Sequence, residues 1–389
     1  MFDLRTPIDR FAPWIALGIF ALVALAYGVG LIDITSVNQL GRFIGLAIVA
    51  LGIDLVWGYA GILSLCQAMF FCLGGYALGM YLALHGPLDG EGKDIPRCLY
   101  VVSSVVSGME LPWFWKPFRD LPVAILLGLL VPGAVAFAYG WFTFRSRVRG
   151  VYFSIITQAT TVAVWLIFCQ NQILLCGTNG LTNFTNIAGY DLNQSAVKFG
   201  MYVISALILV AVWVLCRALV HSRAGRLLVA VRDNEVRLRF AGYDPAAFKV
   251  FVFTVGGMLA ALGGMIYSPQ TGIITPANMA AIESVTMVVC VAVGGRGTLT
   301  GAVIGAFVYC YLKSYLTSKL PFVWEYILGA LFIAVVLFFP AGLYGMIPGP
   351  GARKASGGGG DEDEGEEGES GTKPDAPPAG PAVAAGATP

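Results

Sequence analysis

Runs of about twenty consecutive apolar residues recur along this chain, and a helix of that length is what crosses ~30 Å of hydrocarbon. Ten runs stand out: 14–32, 43–57, 61–84, 121–144, 151–168, 199–219, 249–267, 280–294, 298–316 and 323–342. Those at 43–57 and 280–294 are short, and either could be tilted, broken or re-entrant. Inside lipid every backbone N–H and C=O needs a partner within the protein, which a helix supplies along its own length. The expected fold is therefore all-α, a polytopic transmembrane helical bundle of about ten spans. Composition agrees: charged residues are 12% of the 389, against roughly 25% in a soluble domain.

The first run follows Arg5 and Arg10, and Ala24-Leu25-Ala26 resembles a signal cleavage site. Its apolar character continues to Ile32, longer than a signal-peptide core, so an uncleaved helix is expected. Lys and Arg concentrate in cytoplasmic loops. With the N-terminus inside, the inner segments hold 15 of these cations and the outer ones 8, leaving aside Lys373 in the distal tail. Ten spans then place both termini in the cytoplasm. The expected organisation is an inner N-terminus over 1–13 and a transmembrane domain over 14–348. The domain carries an outer loop at 85–120 and an inner loop at 220–248. The outer loop contains Trp113-Phe114-Trp115, aromatics of the kind that sit at headgroup level. From 349 to 389 the chain turns to glycine, an acidic block from Asp361 to Glu369, and a Pro/Ala/Gly run. Such a segment cannot bury a core and is expected to be disordered.

Several function classes are disfavoured. The net charge is +1, with no basic patch apart from the span junctions, which argues against nucleic-acid binding. No Gly-Lys-Ser or Gly-Lys-Thr occurs, so the chain lacks a Walker A loop. His85 and His221 are far apart, the eight cysteines have no metal spacing, and no nucleophile–base set can be assembled. Neither an enzyme nor a metal site is expected. Cys169 and Cys176 flank one polar stretch and could pair on an oxidising face, though neither spacing nor context demands it.

The 220–248 loop reads as an amphipathic helix. Leu227, Leu228, Val231 and Leu238 are its apolar positions, Asp233/Arg237 and Glu235/Arg239 are i,i+4 pairs, and Gly242 is a stop. Asp244-Pro245 then caps the next span. Such a helix could lie on the anionic leaflet or dock a cytoplasmic partner. Gly41/Gly45, Gly75/Gly79 and Gly301/Gly305 are Gly-x-x-x-Gly pairs that allow close helix packing. Polar residues at membrane depth are costly and are candidates for a solute path. Here they are Asp54, Ser64, Gln67, Gln158 and Glu283, with plainer readings. Asp54 could snorkel near the inner surface, and Gln67 and Glu283 could form interhelical hydrogen bonds, Glu283 also complementing its helix dipole.

Longer motifs carry a resemblance. Trp57-Gly58-Tyr59-Ala60-Gly61-Ile62-Leu63-Ser64-Leu65, Gln67-Ala68 and Gly74-Gly75-Tyr76 resemble the third-span signature of permeases in the branched-chain amino acid ABC importer superfamily. Gly225-Arg226, Val231-Arg232-Asp233-Asn234-Glu235 and Gly242 resemble the loop on which those permeases dock their ATPase, with Val236-Arg237-Leu238-Arg239 replacing an Ala-rich stretch. Leu111-Pro112-Trp113-Phe114-Trp115, Tyr152 to Gln158, Thr178-Asn179-Gly180-Leu181-Thr182, Pro269 to Ile274 and Val293 to Leu299 resemble the urea branch, as does Gln67. Cys66 departs from it.

The resemblance covers roughly 40–347 and implies an importer subunit in a bacterial inner membrane. Its partners would be a second homologous permease, two cytoplasmic ATP-binding subunits that hold ATP-Mg, a periplasmic substrate-binding protein and membrane lipid. This chain itself would need no cofactor. Ser64, Gln67, Asn179 and Glu283 suit the hydrogen-bonding needs of urea. Arg226, Leu228, Val231, Arg232, Asp233, Glu235 and Gly242 would form the ATPase coupling loop. A branched-chain amino acid or short-amide permease and a passive urea channel are the alternatives. A secondary transporter is less well supported, for want of a clear internal repeat.

Overall fold

The computed structural model describes residues 7–86, 111–146 and 150–324, with 96, 98, 99 and scattered positions between 326 and 345. The run 323–342 lies mostly outside these residues, as does the acidic tail. Met1–Pro348 forms one unit and Gly349–Pro389 another.

The described residues form a helical bundle. Its long helices are α1 (Pro7–Gly28), α2 (Ile34–Ile53), α3 (Gln67–Leu84), α4 (Leu121–Arg145), α5 (Val151–Phe168) and α6 (Ser195–His221). Two short helices follow, α7 (Arg223–Asp233) and α8 (Glu235–Phe240), then α9 (Pro245–Thr271), α10 (Ala281–Gly294) and α11 (Leu299–Lys319). Among the described residues eight helices are long and apolar enough to cross a membrane. The helix α10 has 14 residues, about 21 Å at ~1.5 Å per residue, and is too short to cross alone.

Two boundaries differ from expectation for a physical reason. The second span runs from Ile34 and continues through a π-helical turn, Asp54–Tyr59, rather than starting at 43. Its early turns carry polar residues that hide it from a hydropathy reading, yet they are satisfied across the bundle. Asn38 Nδ2 donates to Gln270 O at 2.9 Å and Gln39 donates to Ser314 Oγ. Arg42, expected in an outer loop, lies within this helix. The third span is helical only from Gln67, so residues 61–66, including Ser64, are not helix.

The helix α9 is the centre of the bundle and packs against α2, α3 and α4. Its seam with α2 is backbone on backbone. A Cβ on Gly45 would stand 2.9 Å from Gly263 O, and one on Gly52 would stand 3.0 Å from Gly256 O. At one end of the bundle two loops clasp each other through a short antiparallel pair, β1 (Leu181–Thr182) with β4 (Ile273–Ile274), register Leu181↔Ile274. A second pair, β2 (Asn186–Ile187) with β3 (Tyr190–Asp191), lies between β1 and α6. Trp115, expected at a lipid interface, is instead fully buried here and donates from Nε1 to Leu174 O at 3.1 Å. Trp113 is 80% exposed.

Candidate functional site

Residues 60–66 interrupt the helical path between the π turn and α3. Gly61, with φ +71, turns the chain, a conformation that costs glycine little. Non-helical backbone at membrane depth needs external partners, and α5 supplies them from one stripe. Ser154 Oγ donates to Leu63 O at 2.8 Å, Leu65 N donates to Thr157 Oγ1 at 3.1 Å, and Thr161 Oγ1 donates to Leu65 O at 3.3 Å. Ser64 is buried and its Oγ lies 3.1 Å from Cys66 Sγ.

Gln67 opens α3 at the end of this break. It is 1% exposed, and neither Oε1 nor Nε2 has a hydrogen-bond partner. A Cβ on Gly256 would stand 3.7 Å from its Nε2. Gly256 lies 11 residues into the 27-residue α9, about 17 Å along it, so Gln67 sits near mid-depth. A second break, 272–280, leads into α10 and meets α3: Cys72 Sγ donates to Thr275 O at 3.5 Å, and Ala68 N donates to Ser284 Oγ at 3.4 Å. The first turns of α3 and α10 therefore come together inside the bundle. Gln158, on the stripe that supports the first break, also has both amide atoms buried without a partner.

The other proposed path residues are placed differently. Glu283, in the first turn of α10, pairs with Lys313 Nζ at 3.5 Å. Asn179 is exposed, on a turn at the clasped end of the bundle. Asp54 does not snorkel. It is fully buried and accepts from Gly297 N at 2.6 Å. Ser154, Thr157, Thr161 and Ser284 had not been singled out as site residues. The i, i+3, i+7 spacing of the first three, on an otherwise apolar span, was the available signal.

The 220–248 loop is two helices, not one. Asn234 adopts an extended conformation and its side chain accepts from Arg237 N at 2.9 Å, so it caps a new helix. That break prevents the expected Asp233–Arg237 pair, and Asp233 instead meets Arg232 Nε at 3.1 Å. The Glu235–Arg239 pair forms at 2.8 Å, and Glu235 also meets Lys249 at 2.9 Å. Gly242 has φ +85 after α8, and Asp244 caps α9 by accepting from Ala246 N.

Leu228, Val231 and Leu238 are buried within the chain itself, while Arg226 is exposed. The apolar groups left on the surface are Val236, Phe240 and Tyr243, at 54%, 89% and 49% exposure. Arg232 reaches inward, and its Nη1 donates to Gly58 O at 2.8 Å in the π turn. Between these helices and the first break lies a cavity of about 480 Å³ lined by Gly61, Ile62, Ser154, Arg232, Glu235 and Lys249, among others. Among the described residues no three His, Cys, Asp or Glu side chains gather to hold a metal.

A buried, unpartnered amide beside broken helices, with a surface helix pair tied to the break, is an arrangement suited to a transport protein. The family described as branched-chain amino acid transport system / permease component matches residues 35–336. The chain belongs to this permease family. The permease is 22% identical over 339 residues to the high-affinity branched-chain amino acid transport system permease protein LivM of Escherichia coli (strain K12), covering 82% of this chain and 70% of the relative. The corresponding LivH protein of Escherichia coli (strain K12) is 24% identical over 315 residues, covering 77% and 91%. The autoinducer 2 import system permease protein LsrC of Photorhabdus luminescens is 27% identical over 242 residues, covering 60% and 69%. No solved structure was found to match the permease. Its relatives are transport components rather than enzymes, and the permease is a multi-pass membrane protein.

Proposed function

We propose that this permease is a membrane subunit of an ATP-driven importer, forming the path for urea with a second homologous permease across a bacterial inner membrane. The observation that carries this reading is Gln67, a buried amide near mid-depth with both its donor and its acceptor unpartnered. Leaving such a group unsatisfied costs roughly 1–3 kcal/mol, a cost offset when a solute bonds to it. Urea is neutral, planar and offers donors and an acceptor together, so it can pair with both ends of the amide. Half-helices that meet inside a bundle are a recurrent way of building a transport site. Glu283 pairs with Lys313, so the solute's other partners would be uncharged hydroxyls such as those of Ser64 and Ser284.

The Val236, Phe240 and Tyr243 surface would seat one of two cytoplasmic ATP-binding subunits, which bind the ATP-Mg. A periplasmic substrate-binding protein would deliver solute at the opposite end. The named functions of LivM and LivH favour a second reading, a path for branched-chain amino acids.

The test is uptake of labelled urea at low external concentration. Cells with the full set of subunits are compared with cells lacking the ATPases and with cells carrying Gln67→Leu. Both changes are expected to reduce uptake at least ~10-fold, and excess leucine should not compete. Undiminished concentrative uptake without the ATPases would exclude an importer. Leucine uptake in place of urea uptake would select the amino-acid reading.

A further inference from the structure

The turn between α10 and α11, residues 295–298, lies against the π turn that ends α2, a contact the proposed solute path does not use. Asp54, the first residue of the π turn, is fully buried, and its Oδ1 accepts from Gly297 N at 2.6 Å. Its Oδ2 is buried without a hydrogen-bond partner, so a costly group is kept here for one backbone bond. Further along the π turn, the Arg296 guanidinium stands 5.3 Å from the centre of the Trp57 ring. A Cβ on Gly58 would strike both Asp54 Oδ1 and Gly297 N, so the two turns close at this distance because the residue is glycine. The π turn also meets the surface helices. Arg232 Nη1 donates to Gly58 O at 2.8 Å, and its stem packs on Gly61 so closely that a Cβ there would stand 2.6 Å from Arg232 Cγ.

These contacts close a ring. From the π turn the backbone runs through the first break to Gln67 and Ala68 at the start of α3. Ala68 N donates to Ser284 Oγ in the first turn of α10. The 14 residues of α10 lead to the 295–298 turn, which Asp54 joins back to the π turn. A helix is stiff over the ~21 Å that α10 spans, so a shift of its last turn carries to its first. Two routes therefore run from Gly58 to the place where α3 and α10 meet, one through the break and one through α10. We propose that Asp54 is a positioning residue, coupling movement of α7 to the relative placement of α3 and α10 beside Gln67. The inference rests on the importer reading, in which an ATPase moves α7 and α8. Arg232 passes that movement to the π turn. With Asp54 in place the π turn moves α10 together with the break, and Ser284 shifts as Gln67 does. Without it the break alone takes up the movement by bending, and ATP is hydrolysed with little change at the site.

The test reconstitutes the whole importer in lipid vesicles and measures urea or leucine taken up per ATP hydrolysed. ATPase co-purification and thermal unfolding are recorded for each variant. Asp54→Ser is too short to reach Gly297 N, whereas Asp54→Asn keeps an oxygen acceptor in the same place. Asp54→Ser is expected to hold ATPase association and ATP hydrolysis within about twofold while lowering uptake per ATP ~10-fold, the scale of one lost coupling contact. Asp54→Asn should bring uptake per ATP back to within about threefold of the unmodified chain. A merely structural role would lower folded yield and hydrolysis in step and leave the ratio unchanged. An unchanged ratio in Asp54→Ser would overturn the proposal. The unmodified importer supplies a second measurement that no folding defect touches, hydrogen exchange with and without a non-hydrolysable ATP analogue. Exchange in 58–66 and in 290–298 is expected to change together, and a change confined to 58–66 would overturn the role of Asp54. Absence of ATP-driven uptake of urea and of leucine by the unmodified chain would instead overturn the importer reading, and this inference with it.

Discussion

Phe240 closes α8 with 89% of its surface exposed, which makes it the sharpest probe of the proposed docking face. A phenylalanine offers roughly 150–250 Å², and at ~25 cal/mol per Å² complete burial contributes at most about 6 kcal/mol. A groove on a partner covers only part of the ring. Phe240→Ala is therefore expected to cost about 2 kcal/mol of association, the scale of an interface hot spot, or ~30-fold in Kd. The isolated permease should hardly notice, because an exposed substitution usually changes stability by less than about 0.5 kcal/mol. Leu228→Ala is the counterpart. Leu228 is 0% exposed, and truncating a buried leucine costs about 2–5 kcal/mol of fold stability. The assay titrates purified ATPase subunits onto each detergent-solubilised variant and records thermal unfolding alongside. Detergent removes the bilayer, so a helix that merely rests on lipid would show no Phe240 effect. Binding by Phe240→Ala within twofold of the unmodified permease would refute the assignment of this face.

Arg232→Gln should keep ATPase association while lowering transport severalfold, because Arg232 bonds Gly58 O rather than the exposed face; co-purification and uptake measured on the same variant check this. Gly263→Val should reduce folded yield sharply and lower the unfolding temperature, since even a Cβ there would stand 2.5 Å from Gly45 O; size-exclusion profiles and thermal scans provide the measurement.

Hydropathy located the spans because lipid demands long apolar helices, and seven of the ten runs lie on long helices whose ends differ by no more than seven residues. It failed where polar groups are paid for by partners elsewhere. The start of α2 looks polar, yet Asn38 and Gln39 bond to Gln270 and Ser314, more than two hundred residues away in sequence. Residues 61–66 look apolar enough to be helix, and only the hydroxyls of Ser154, Thr157 and Thr161 show why they need not be. Gln67 was legible as a costly residue, but its lack of partners is a property of the packed bundle. In the coupling segment the apolar positions were visible and their direction was not. Leu228 and Val231 point inward, while Val236, Phe240 and Tyr243 are left outside. The break at Asn234 follows from a local competition, a side chain capping Arg237 N, that helical periodicity does not register.

The α2–α9 seam carries a consequence for how this chain can change over generations. At Gly45, Gly52 and Gly263 the neighbouring backbone, and at Gly256 the Val56 side chain, occupies the room a side chain would need. Every single-base change of a glycine codon that alters the residue installs something larger, so none of these positions has a neutral neighbour in sequence space. Helices that meet through side chains can exchange a lost methyl on one for a gained methyl on the other. This pair has nothing to trade. Its spacing is inherited intact or the span is lost, and adaptation to a new solute must be made in the breaks and the surfaces around it.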